Sequence, residues 1–122
     1  PIGFLVVAIL HANNTRDIHN DARVKIKTLP MILGLGGAKF FYYFLVFGAY
    51  LLIVAFIFLN LIKPWVLLVL LSFPIALKNV REFASAKTDN LNSIAMLDVK
   101  TAQLHLLFGL LFIIGILLTG LL

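Results

Sequence analysis

From Phe40 to Ile62 the chain carries no Asp, Glu, Lys or Arg, and from Thr101 to Leu122 the same holds. Each run reaches the roughly 20 apolar residues that an α-helix needs to cross a hydrocarbon core of about 30 Å. Backbone N–H and C=O groups find no water in that core, so runs of this length are expected to be spanning helices. Composition agrees: 62% of residues are hydrophobic, 12% are charged and the mean hydropathy is +1.09, against roughly 25% charge in an average soluble domain. The expected class is an all-α, multi-pass transmembrane helix bundle in contact with membrane lipid.

The opening PIGFLVVAIL is apolar only to about residue 12. At 1.5 Å per residue that is roughly 18 Å, too short to span, and it reads as the last part of a helix that begins upstream. Neither a basic leader nor a small-residue cleavage site precedes it, so a signal peptide is not expected. Pro30, Gly34, Gly36 and Gly37 predict a break, with Lys39 at the membrane surface and a spanning helix from Phe40 to about Ile62. Tyr42, Tyr43 and Tyr50 read as interfacial belt residues. Lys63, Pro64 and Trp65 form a turn, and the next helix runs from about Trp65 to Phe83, kinked at Pro74, with Lys78 and Arg81 reaching the interface. Residues Ser85 to Lys100 are expected to form an extramembrane polar loop with an interfacial helical piece around Ile94 to Lys100. The last helix runs from Thr101 to Leu122, where Gly109, Gly115 and Gly120 permit close helix approach. This makes about four helices, the first truncated.

Between the first two of these lies NNTRDIHNDARVKIKT, Asn13 to Thr28, which gathers most of the chemistry in an otherwise oily chain. Asp17 and Asp21 are four residues apart and share a helix face with Asn13, Arg16 and Asn20. Two carboxylates this close repel unless a cation lies between them, and hard oxygen donors suit Mg²⁺. The alternative is a solvated interfacial helix in which Asp17 and Asp21 pair with Arg16, Arg23, Lys25 and Lys27. Cysteine is absent, which excludes disulfides and thiolate metal sites. His105 reads as an interfacial or packing residue, and His19, off the acidic face, is expected to be dispensable.

The net charge of +5 does not imply nucleic acid, because the cations cluster between apolar runs without interleaved aromatics. Counting passes puts residues 13 to 39 on one side with residues 78 to 100, and of the ten Lys and Arg residues all but Lys63 fall there. By the positive-inside rule that side is cytoplasmic. An acid pair, cations and an oily bundle together suggest a lipid diphosphate as ligand.

The pattern NNxRDxxxD at Asn13 to Asp21, the basic run Lys25 to Lys27, then Thr28, Leu29 and Gly34, resembles the second Asp-rich motif of the UbiA-type intramembrane prenyltransferases. With TAQLHLLFGLL at Thr101 to Leu111, the chain is most similar to 1,4-dihydroxy-2-naphthoate polyprenyltransferases of menaquinone biosynthesis. The resemblance implies that residues 1–122 are the C-terminal part of a nine-helix fold in the inner, cytoplasmic membrane. It implies Mg²⁺ held by Asp17 and Asp21 as metal-binding catalytic carboxylates, with Arg16, Arg23 and Lys27 on the diphosphate of a polyprenyl donor and Asn13 and Asn20 on the same polar face. Ionisation of the donor gives an allylic cation that the aromatic acceptor attacks, with loss of CO₂ when the acceptor is the dihydroxynaphthoate. Other acceptors, 4-hydroxybenzoate or homogentisate, leave the acidic motif unchanged, and a non-enzymatic transporter segment is a further alternative. Two departures accompany the resemblance: the family commonly has Gly where this chain has Lys25, and the first Asp-rich motif, NDxxDxxxD, is absent. The resemblance places that motif upstream, so residues 1–122 alone are not expected to be catalytically complete.

Overall fold

A computed structural model describes all residues from Pro1 to Leu122, and every regular element in it is helical. The order is α1 (Ile2–Arg16), α2 (Ile18–Arg23), α3 (Leu29–Phe58), a 3₁₀ segment (Pro64–Ser72), α4 (Phe73–Ala84), a 3₁₀ turn (Leu91–Ile94) and α5 (Leu97–Leu121). α3 is long and apolar enough to cross a membrane, and so is the stretch ending in α5. Helix α1 packs between α3 and α5, while α5 lies along the 3₁₀ segment.

The buried residues follow helical spacing. Leu5, Ala8, Ala12 and Thr15 line one face of α1; Ala38, Tyr42, Leu45, Ala49 and Ile53 line one face of α3; Leu97, Thr101, Leu104, Phe108 and Gly115 line one face of α5. Small residues on α1 let its backbone come close to its neighbours, which is how helices associate when no water drives them together. The opposite faces carry exposed Phe40, Leu51, Phe58, Ile113 and Leu117.

Four expectations are corrected. The expected break is present, but at Gly34 alone: its backbone, at φ 70° and ψ 171°, leaves the helix and sets two helical stretches of α3 at a kink. Pro30 fits the first turn of the short stretch before it, where no intrahelical N–H is needed, while Gly36 and Gly37 are helical, so the long stretch begins before Phe40. Pro74, by contrast, does not kink a continuous α-helix. It sits in the first turn of α4, and the nine residues before that helix are wound as 3₁₀. The Ser72 hydroxyl helps to stabilise this junction by donating to Val69 O (2.6 Å).

Tyr42 and Tyr50 are not belt residues but internal cross-ties. The Tyr42 hydroxyl pairs with Thr101 Oγ1 (2.7 Å) and the Tyr50 hydroxyl with Ser72 Oγ (2.7 Å). Their rings meet Phe83, Phe73 and Phe108 edge-on, so each tyrosine fills the core while its polar tip is satisfied. The fourth correction concerns α5, which begins four residues earlier than Thr101 and absorbs most of the expected short helical piece.

Of the three glycines of α5, only Gly115 is a close-approach site. A Cβ there would lie 2.7 Å from Val66 Cα and 2.8 Å from Trp65 O, both backbone atoms, whereas Gly120 has nothing within 4 Å.

Candidate acidic site at one end of the bundle

The polar stretch continues α1 with one interruption. Asp17, at φ −92° and ψ 8°, ends α1 and begins α2, yet its N–H donates to Asn13 O (3.1 Å) and its carbonyl accepts from the Asp21 N–H (2.9 Å). One helical turn of backbone therefore separates the two acids, as their spacing predicts.

Helix α2 then stops in a Schellman arrangement. The Ile26 N–H donates to Asp21 O (2.9 Å) and the Lys25 N–H to Ala22 O (3.2 Å), with Lys25 left-handed at φ 59°. This gives a physical account of the departure at this position, because the conformation favours glycine. Lys25→Gly removes a left-handed penalty of roughly 1–2 kcal/mol at an entropic cost of roughly 0.5–1, so it is expected to stabilise the full-length protein by somewhat under about 1 kcal/mol. Thermal unfolding in detergent measures it; an unchanged or lower melting temperature contradicts the expectation.

Arg16 organises the site. Its Nε and Nη2 donate to Asp17 Oδ1 (2.9 Å) and Oδ2 (3.0 Å), Nη2 also to Asn13 Oδ1, and Nη1 to Asp98 Oδ2 (2.8 Å) and Ala95 O (3.2 Å). All five N–H groups of the guanidinium are thereby engaged within the chain. The bond from Arg16 and its adjacent charge hold the Asp17 carboxyl below the usual carboxylate range, partly opposed by burial, so Asp17 is ionised at neutral pH.

Asp21 takes no part in the three ion pairs of the chain, Arg16–Asp17, Arg16–Asp98 and Lys100–Glu82. It is half-buried, as is Asn13, while Asn20, Arg23, Lys25 and Lys27 are exposed. The expected solvated pairing thus holds for Asp17 alone.

Contacts that local spacing does not reveal bring a second loop to the same end. His19 Nε2 donates to Thr88 O (2.9 Å), and Lys39 Nζ donates to Ala84 O (2.9 Å) and Ala86 O (2.6 Å) at the end of α4. Leu91 and Ile94 then anchor the loop in the core. His19, expected to be dispensable, and Asp98, not singled out at all, both hold this arrangement. Residues 13–28 and 84–98 therefore meet, as the count of passes requires.

The donor set is compatible with a hard divalent cation. No three His, Cys, Asp or Glu side chains converge to hold a metal by themselves. Mg²⁺, however, usually takes only one or two carboxylates, completing its shell with water and ligand phosphates. Of the two acids here, Asp21 is in no ion pair, while both oxygens of Asp17 already accept from Arg16, which leaves Asp17 only its remaining lone pairs for a cation.

A multi-pass helical membrane protein with an acid pair and a basic run at one end of its bundle is the class that these features define. The chain belongs to the UbiA prenyltransferase family, whose model matches residues 1–103. It is 35% identical over 94% of its length to a UbiA prenyltransferase domain-containing protein 1 homolog of Drosophila melanogaster, covering 30% of that protein. It is 37% identical over 97% of its length to UbiA prenyltransferase domain-containing protein 1 of Gallus gallus, covering 33% of it. It is also 34% identical over 98% of its length to the 1,4-dihydroxy-2-naphthoate octaprenyltransferase of Bacillus subtilis, covering 38% of it. The chain thus spans about a third of the length of the curated relatives it matches. No solved structure matches it significantly.

Proposed function

We propose that residues 1–122 form the C-terminal part of a prenyltransferase domain that moves a polyprenyl group from polyprenyl diphosphate to 1,4-dihydroxy-2-naphthoate with loss of CO₂, a step of menaquinone biosynthesis. The observation that carries the reading is the Asp17–Asp21 pair beside an exposed basic run, in a chain similar over 98% of its length to a 1,4-dihydroxy-2-naphthoate octaprenyltransferase. The excess of Lys and Arg at this end supports a cytoplasmic placement in the inner membrane.

In this reading Asp17 and Asp21 hold Mg²⁺, which when bound neutralises charge on the departing diphosphate, a Lewis-acid contribution of several kcal/mol. Arg23 and Lys27, exposed and in no ion pair, contact diphosphate oxygens. Arg16 fixes Asp17 and Asn13, so its charge would act on the diphosphate without a direct N–H to spare. The prenyl C–O bond breaks with its electron pair leaving on the diphosphate. The ring carbon that bears the carboxylate bonds to the prenyl carbon, and the bond from that carbon to the carboxylate breaks, its electron pair restoring the aromatic ring as CO₂ departs. The apolar bundle excludes water from the allylic cation.

The test uses the full-length protein with Mg²⁺ and a polyprenyl diphosphate. CO₂ released in step with prenylation of 1,4-dihydroxy-2-naphthoate is the expected result. Preferred turnover of 4-hydroxybenzoate or homogentisate overturns the choice of acceptor and leaves the acidic site as described.

A further inference from the structure

Asp98 lies 82 positions along the chain from Arg16, yet the two side chains meet at 2.8 Å. It is the acidic residue in the first turn of α5, and its Oδ1 accepts the Val99 N–H (2.9 Å), leaving Oδ2 for Arg16. The positive end of the α5 dipole favours a carboxylate at this position. Arg16 is therefore held on one side by an acid fixed to the start of α5 and on the other by Asp17, and a single guanidinium is divided between two carboxylates.

Removing one carboxylate changes that division. If Asp98 loses its charge, Asp17 alone answers the Arg16 cation, and a carboxylate neutralised by its neighbour is a poorer ligand for a second cation. With Asp98 ionised, Asp17 stays oriented by Arg16 without being fully compensated by it. We propose that Asp98 is a positioning residue of the acidic site, tuning the affinity of Asp17 and Asp21 for a divalent cation through Arg16 while touching neither cation nor substrate. The proposal rests on the metal reading above and adds to it a residue on another helix. It also gives the start of α5 a role: this end is where the loop from α4 is joined to the acid pair.

Mn²⁺ binding to the full-length protein, followed by electron paramagnetic resonance with inorganic pyrophosphate present, tests this without relying on turnover. Asp98→Asn keeps the shape and one acceptor oxygen but loses the charge. It is expected to weaken Mn²⁺ binding about tenfold, the scale seen when a partner behind a metal ligand is lost, with the metal-free melting temperature lowered only slightly by the weaker interaction with the α5 dipole and Arg16. Asp98→Glu, which restores the carboxylate, is expected to recover most of that affinity.

Wild-type affinity in Asp98→Asn, or equal losses in the Asn and Glu variants, overturns the proposal, since the second pattern marks a packing role. Asp17→Asn serves as the reference. If it leaves Mn²⁺ affinity unchanged, the acid pair is not the cation site and the metal reading fails along with this one. If it weakens binding while Asp98→Asn does not, the relay alone is refuted.

Discussion

Asp21→Ala in the full-length protein is expected to lower prenyl transfer by about two to three orders of magnitude at saturating substrate. The estimate follows from losing several kcal/mol of Lewis-acid stabilisation when each ~1.4 kcal/mol is a factor of ten. The side chain is half-buried and takes part in no ion pair, so its removal should leave the melting temperature close to that of the wild type. That separation is the point of choosing Asp21 over Asp17. Truncating Asp17 also strips two acceptors from Arg16 and loosens Asn13, so a loss of activity there mixes ligand and framework effects. Activity within a few-fold of wild type at limiting Mg²⁺ would remove Asp21 from the site.

Gly115→Leu carries the largest expected effect on folding. The new Cβ alone would fall 2.7 Å from Val66 Cα, and the obstacle is main chain, which cannot rotate aside as a side chain can. Overpacking a well-filled interior costs roughly 1–3 kcal/mol, and a backbone obstacle should place this variant at or above the top of that range, at about 3 kcal/mol. Gly120→Leu is the control, because nothing lies within 4 Å of its Cβ position. Equal melting temperatures for the two variants would show that α5 and the 3₁₀ segment do not pack as described.

Much of this was readable from local pattern. Charge-free runs marked α3 and α5, and the spacing of Asp17 and Asp21 located the acids one turn apart, because apolar length and helical period are properties of neighbouring residues. The break at Gly34 is legible in the run of proline and glycines, but Pro30, Gly36 and Gly37 carry the same signal, and only the fold shows that the chain leaves the helix at Gly34 alone. The tyrosines misled for a related reason. Tyrosine suits an interface or an interior equally well, and only Thr101 and Ser72, distant in sequence, decide for the interior. The site was half visible: Asp17, Asp21 and the basic run lie in one stretch. Asp98 acquires its meaning from a bond across the fold, which no window along the chain can contain.

The 3₁₀ winding of Pro64–Ser72 changes how far this segment and α4 together reach. A 3₁₀ helix rises about 2.0 Å per residue against about 1.5 Å for an α-helix. Its nine residues therefore extend some 18 Å instead of about 14 Å. Lys78, midway along α4, then stands roughly 26 Å from Pro64 along the axis, where a wholly α-helical segment would leave it at about 21 Å. Were this segment to cross a hydrocarbon core of about 30 Å, those few ångströms would bring the ammonium of Lys78 within side-chain reach of the headgroups, with Arg81 a turn beyond. Stretched winding of this kind is one way for a short uncharged run to match a bilayer without burying its cations.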